Sequence, residues 1–264
     1  AEDGIRDYDV TGVQTCALPI LTHLHFDHCG GSVEWNKDRT GYETAFKNAH
    51  FWSNQEHWSW ATKPNNREKA SFLKENILPM EESGRLKFIS IPNGNTLKES
   101  ELGFSIFFAN GHTDKQMIPM INYKEKTICF MADLLPTVGH LPIPFIMGYD
   151  TRPLLTLDEK KKFLNLAADN NFYLFLEHDA HNEIITVQHT EKGVRLKEIY
   201  RCHALFSSTI TLPITYATLA TSKPSSFLFL CPIPPISFHS NSCLASQPTS
   251  ALQSIRHLLC PLRL

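Results

Sequence analysis

Four side chains able to ligate a metal crowd into six residues of this sequence: His23, His25, Asp27 and His28, within L-T-H-L-H-F-D-H-C-G-G at 21–31. Imidazole nitrogen and carboxylate oxygen suit zinc, and they exclude iron or manganese less than a thiolate set would. His23 and His25 are two apart, so on an extended segment both rings project to the same side and can share one ion. Asp27 and His28 are adjacent, which on a regular strand sends them to opposite faces. A turn here, of the kind Gly30 and Gly31 permit, swings both toward a second ion about 3.5 to 4 Å from the first, the separation of two-metal sites. A surface loop rich in histidine is the alternative, and for one His it would be the better reading. Three His and an Asp at this spacing beside Gly-Gly weigh against it.

The stretch resembles the H-x-H-x-D-H signature of the metallo-β-lactamase superfamily, whose members are mostly dinuclear metal hydrolases. The resemblance demands a third His, a bridging Asp and a final His, in that order. The chain offers His112 in N-G-H-T, Asp133 in M-A-D-L and His178 in L-E-H-D. Carried over residue by residue, it implies His23, His25 and His112 on a first metal and Asp27, His28 and His178 on a second, with Asp133 bridging both. It also implies Zn2+ as cofactor, two ions per chain, with Fe or Mn as other occupants. His50, His57, His140, His181 and His189 match no ligand position and read as ordinary histidines.

Two divalent ions sharing a water lower its pKa from 15.7 toward about 7 and polarise a carbonyl placed above one of them. The expectation is therefore a hydrolase that opens a lactone or carboxylic ester with a dinuclear zinc-bound hydroxide. Asp27 is expected to accept and return the proton, and Tyr149 in M-G-Y-D to donate a hydrogen bond to the substrate carbonyl. The commonest class of true β-lactamases has Cys among its second-metal ligands where this chain offers Asp133, which argues against a β-lactam. Glutathione-thioester hydrolases add a basic helical domain that the tail here does not resemble. Two alternatives remain: a mononuclear iron dioxygenase-type member, and an inactive fragment. The diiron branch typically has Glu where this chain has His25.

The elements that must position these residues are short. Strand-like runs at 86–91, 102–109, 117–123 and 127–131 deliver His112 and Asp133 where the chain leaves the sheet, and an apolar run at 172–176 delivers His178. Further strands are expected at 183–188 and 194–200 around Glu191-Lys192-Gly193. Helices are expected over 66–78, after the Pro64 turn, and over 156–170, capped by Thr156. The aromatic-rich segment 32–84 reads as an insert beside the metal loop, able to wall a substrate cleft. The fold class implied is α/β (α+β), a metallo-β-lactamase-like four-layer αβ/βα sandwich, here incomplete because its N-terminal strands are missing.

Composition varies along the 264 residues. Asp and Glu are absent after Glu198, and the tail is rich in Ser, Thr, Pro and Leu, unlike a folded surface. Residues 1–20 show no period and resemble translated sequencing-adapter read-through. The expected division is a non-native leader at 1–20, the domain at 21–201 and a non-native or disordered tail at 202–264. Prolines interrupt the apolar runs of the tail well short of the ~20 residues a membrane helix needs, so no membrane partner is expected. None of the seven cysteines falls in a C-x-x-C pair, and the formal net charge of -2 offers no footprint for nucleic acid. A small-molecule substrate and a cytoplasmic location are expected, and nothing in the sequence fixes an oligomeric state.

Overall fold

Alternation along two neighbouring strands sets the centre of the fold. In β6 (Ser105–Ala109) and β7 (Gln116–Tyr123), Phe107, Ala109, Ile118 and Met120 face one side of the sheet, while Ile106, Phe108, Met117 and Ile121 face the other. Both sides are buried, so each must carry a covering layer. The computed structural model describes residues 19–202. Except for residues 19, 20 and 202, the expected leader and tail lie outside the described residues.

β5 (Thr96–Leu97), β6, β7, β8 (Lys126–Phe130), β9 (Tyr173–Phe175), β10 (Ile184–Thr190) and β11 (Gly193–Tyr200) form one seven-stranded sheet in the order β11-β10-β9-β8-β7-β6-β5. All neighbours pair antiparallel except β8 and β9. That parallel pair requires a crossover, and the long helix α4 (Pro153–Asp169) provides it. Phe163, Leu164 and Ala167 of α4 pack on Phe107, Ile118, Cys129, Leu174 and Ile185.

The opposite face of the sheet meets Ile89, Ile20 and Trp52. Trp52 belongs to a small parallel pair, β3 (Phe51–Ser53) with β4 (Leu86–Phe88), and Ile20 bridges to it. Beyond this pair lie α2 (Gln55–Thr62) and α3 (Lys74–Glu82), whose Trp58, Ala61, Ile77 and Met80 share a core with Leu21, Leu24, Phe51 and Phe72. Helix, large sheet, small sheet and helices thus stack as four layers, which is the sandwich expected. A short hairpin, β1 (Val33–Trp35) with β2 (Tyr42–Thr44), stacks Trp35 on Tyr42 at the surface. Among the described residues no helix is long and apolar enough to cross a membrane.

Two local expectations give way to side-chain chemistry. The helix expected over 66–78 starts only at Lys74, because Asn65 Oδ1 accepts from the backbone N–H groups of Arg67 and Glu68 and holds 65–68 in a turn instead. Thr156 is no cap: Pro153 at the first helical position starts α4 one turn earlier. Thr156 then lies buried against Gly111, where a β-carbon on the glycine would overlap the backbone nitrogen and hydroxyl of Thr156. Gly111→Ala must therefore push α4 away from the loop that carries His112. Urea unfolding should show a loss of about 1 to 3 kcal/mol, the usual cost of overpacking. An unchanged midpoint would contradict this packing.

Candidate metal centre

Each ligand-type residue sits where a strand or turn ends. The loop 21–25 is extended, with Leu21 N–H donating to Trp52 O and Met117 N–H donating to Thr22 O. At His25 the backbone, with φ -63° and ψ 149°, enters the single turn α1 (Phe26–Cys29). That turn swings Asp27 and His28 out of strand alternation. His112 follows β6 on a loop gripped by α4: Glu159 accepts from the backbone N–H groups of Asn110 and Gly111 at 2.9 Å. Asp133 lies in the turn 132–134 after β8, entered through left-handed backbone at Ala132 (φ 43°). Such backbone in a residue with a β-carbon costs of order 1 to 3 kcal/mol and is held by its surroundings. His178 follows β9, and Asp179 beside it accepts from Val138, His181 and Asn182 N–H groups.

These residues converge in two groups. His23, His25, His112 and Asp133 form one, and His28, Asp133, Glu177 and His178 the other, with Asp133 in both. Asp133 Oδ2 is 3.3 Å from His23 Nε2, 3.2 Å from His28 Nε2 and 3.0 Å from His112 Nε2. Its Oδ1 is 3.0 Å from His178 Nε2. His25 Nδ1 is 3.1 Å from His112 Nε2, and His28 Nε2 is 3.1 Å from His178 Nε2. Donor atoms around a tetrahedral zinc at 2.0 to 2.2 Å lie about 3.3 to 3.6 Å apart, so these separations, at or slightly inside that range, suit shared coordination. His23 Nε2 and Asp133 Oδ1 are both buried and face other ligand-type atoms across no more than 3.3 Å, as befits donors directed at a cation. Asp27 belongs to neither group: its side chain is 38% exposed, and Oδ2 stands 3.6 Å from His28 Nε2 and 4.0 Å from His178 Nε2.

The electrostatics follow from burial around one carboxylate. Burial opposes charge on Asp133, but His28 together with hydrogen bonds from His112, His178 and His23 holds its pKa well below the usual range. Burial lowers the pKa of His23 and of His25. In His28, Glu177 and Asp133 outweigh burial and raise the pKa, and in His112, Asp133 and Asp150 do the same, to about 9. His178 is raised mainly by its hydrogen bond with Asp133. The centre thus combines a permanent anion with imidazoles poised to exchange protons for a divalent cation.

A second ring of carboxylates, which sequence reasoning missed, stands behind the imidazoles. His112 Nδ1–H donates to Asp150 at 2.9 Å. Glu177 Oε1 lies 2.7 Å from His28 Nδ1, and Glu68 Oε1 lies 3.4 Å from His25 Nε2. Nothing in the local patterns marks Glu68 or Asp150, whereas the adjacency of Glu177 to His178 was a usable signal. Tyr149 is 79% exposed, on the loop whose Gly148 and Asp150 carbonyls accept from Arg67.

Comparison with known proteins agrees with this geometry. A family model described as the metallo-beta-lactamase superfamily matches residues 20–178. Among solved structures, the chain is similar to a hydrolase in the β-lactamase superfamily, AbOPH, at 20% identity and TM-score 0.57, covering 73% of this chain and 68% of that one. It is similar to AidC, a dizinc quorum-quenching lactonase solved with its product, at 20% identity and TM-score 0.53, covering 76% and 72%. A probable metal-dependent hydrolase from Staphylococcus aureus is 21% identical with TM-score 0.53, and the match covers 69% of this chain but 62% of that one. At these identities the likeness is one of fold. No curated protein matches the chain.

His57, expected to be an ordinary histidine, braces the metal loop. It is fully buried, its Nε2 accepts from Leu24 N–H at 2.8 Å and its Nδ1–H donates to Asp114 O at 2.5 Å. This fixes the neutral tautomer and ties the 21–25 loop to the loop after His112. Burial lowers its pKa from 6.5 to about 4. Its contribution is thus intact above pH 6.5 and is lost as pH falls toward 4, where the unfolded chain takes up a proton that the folded one refuses. That difference amounts to about 3 kcal/mol. In urea unfolding at a series of pH values, His57→Gln should flatten the decline between pH 6.5 and 4, and parallel curves for parent and variant would contradict this role.

Proposed function

The chain belongs to the metallo-beta-lactamase superfamily, and from that premise we propose that it is a metal-dependent hydrolase that opens a lactone or carboxylic ester. The observation that carries this reading is the sharing of Asp133 between two ligand groups. His23, His25, His112 and Asp133 would hold one divalent ion, and His28, His178 and Asp133 with Asp27 a second, zinc being the ion the donor set suits best. Two such ions would supply an acidified water and an electrophile for the substrate carbonyl oxygen.

The chain's own residues supply the remainder. Asp27, half-exposed beside His28 and His178, would take the proton of the attacking water and return it to the departing alkoxide oxygen. The products are then the acid and the alcohol, which in a lactone remain one molecule. Tyr149, exposed and one residue from Asp150, would donate a hydrogen bond to the substrate carbonyl. No serine or cysteine nucleophile is required, and the buried Cys29, whose thiol burial pushes up to about 12, is unsuited to being one. The partner is accordingly a small molecule. A lactone is favoured for testing because AidC, of similar fold, is a lactonase.

Hydrolysis of a panel of lactones, esters, thioesters and β-lactams tests this directly. Turnover of a lactone or ester should be stopped by a chelator and restored by zinc, and His112→Ala and Asp133→Ala should each abolish it. Tyr149→Phe should lower kcat/KM by about tenfold or more, the worth of one hydrogen bond to developing charge, without releasing metal. Turnover confined to the β-lactam, or unaffected by chelation, would refute the proposal.

A further inference from the structure

Glu68 lies 40 residues beyond His28, in the turn between α2 and α3, yet its carboxylate is 3% exposed and directed at the metal loop. Burying a carboxylate costs several kcal/mol unless partners compensate, so its place calls for a reason. Its Oε2 is pinned from two sides, by Trp60 Nε1–H at 2.8 Å and Asn65 Nδ2–H at 2.5 Å. Its backbone is pinned as well, since Asn65 Oδ1 accepts from Glu68 N–H at 3.1 Å. With three anchors on one side, the other oxygen has little freedom. That oxygen, Oε1, makes no hydrogen bond and stands 3.4 Å from His25 Nε2, which is also buried and makes none. The second ring nitrogen of His25, Nδ1, faces His112 Nε2 at 3.1 Å, on the side of the ligand cluster.

The two faces of the His25 ring therefore have different neighbours, a carboxylate at Nε2 and the ligand cluster at Nδ1. We propose that Glu68 is a positioning residue that holds the Nε2–H tautomer of His25 and thereby aims the Nδ1 lone pair at the first metal. A carboxylate behind a ligating imidazole fixes its ring and makes the ligating nitrogen a better donor. On this account the aromatic segment between α2 and α3 is part of the metal centre: Trp60 and Asn65 hold Glu68, and Glu68 holds His25. The inference rests on the metal-centre reading above but not on the choice of substrate.

Two measurements test it. In the zinc-loaded full chain, long-range proton–nitrogen NMR should show His25 protonated at Nε2 and ligating through Nδ1. In Glu68→Gln, zinc affinity read by competition with a chromophoric chelator should fall by about 10- to 100-fold, while the melting temperature of the metal-free protein stays near that of the parent. Glu68→Asp, which keeps the charge, should recover part of the affinity. A His25 protonated at Nδ1 in the unsubstituted protein would overturn the proposal without recourse to any variant. So would a folded Glu68→Gln that binds zinc as tightly as the parent. A chain that hydrolyses no ester or lactone but shows the expected tautomer and affinities would refute the substrate reading alone.

Discussion

One buried carboxylate organises this molecule. Asp133 is 4% exposed and lies within 3.3 Å of four imidazole nitrogens, from His23, His28, His112 and His178. An anion in such a place is tolerated only where cationic or hydrogen-bonding partners surround it. The fold supplies them from three separate stretches of chain. The large sheet sets Asp133 and His178 just beyond the ends of the neighbouring strands β8 and β9, which pair in parallel and so end on the same side. The loop after β6 of the same sheet carries His112, and the 21–28 loop crosses toward it from the small sheet.

The outer carboxylates extend this logic. Asp150, Glu68 and Glu177 stand behind His112, His25 and His28. They come from the loop before α4, from the turn between α2 and α3, and from the strand end beside His178. Each outer layer of the sandwich therefore reaches the centre through a polar side chain as well as through packing. His57 adds an uncharged brace between the metal loop and the loop after His112. Such a ring of supports keeps the ligand-type residues in one geometry, which coordination of a cation needs.

How legible all this was in the sequence depended on the kind of signal. The ligand-type residues carry a spacing, His23-x-His25-x-Asp27-His28, and an order, and the structure brings His23, His25, His28, His112, Asp133 and His178 together. Most strands were legible too, because alternation at 105–109 and 116–121 writes the two faces of the sheet into the residues. The supports were not legible, since they act at a distance in sequence. Glu68 sits in N-R-E-K, which reads as a solvated helical face until the Asn65 turn breaks the helix and turns the carboxylate inward. Thr156 looked like a cap because Thr-Leu-Asp-Glu mimics a capping box, while Pro153 had already started the helix. In each case one local side-chain preference was overruled by another three or four residues away.

The proposed hydrolysis depends most on two ions sharing Asp133. Anomalous diffraction from crystals of the zinc-loaded chain would locate them directly. Two peaks are predicted, about 3.5 to 4 Å apart, flanking the Asp133 carboxylate, with His23, His25 and His112 around one and His28 and His178 around the other. A single peak, or two peaks of which only one touches Asp133, would contradict it.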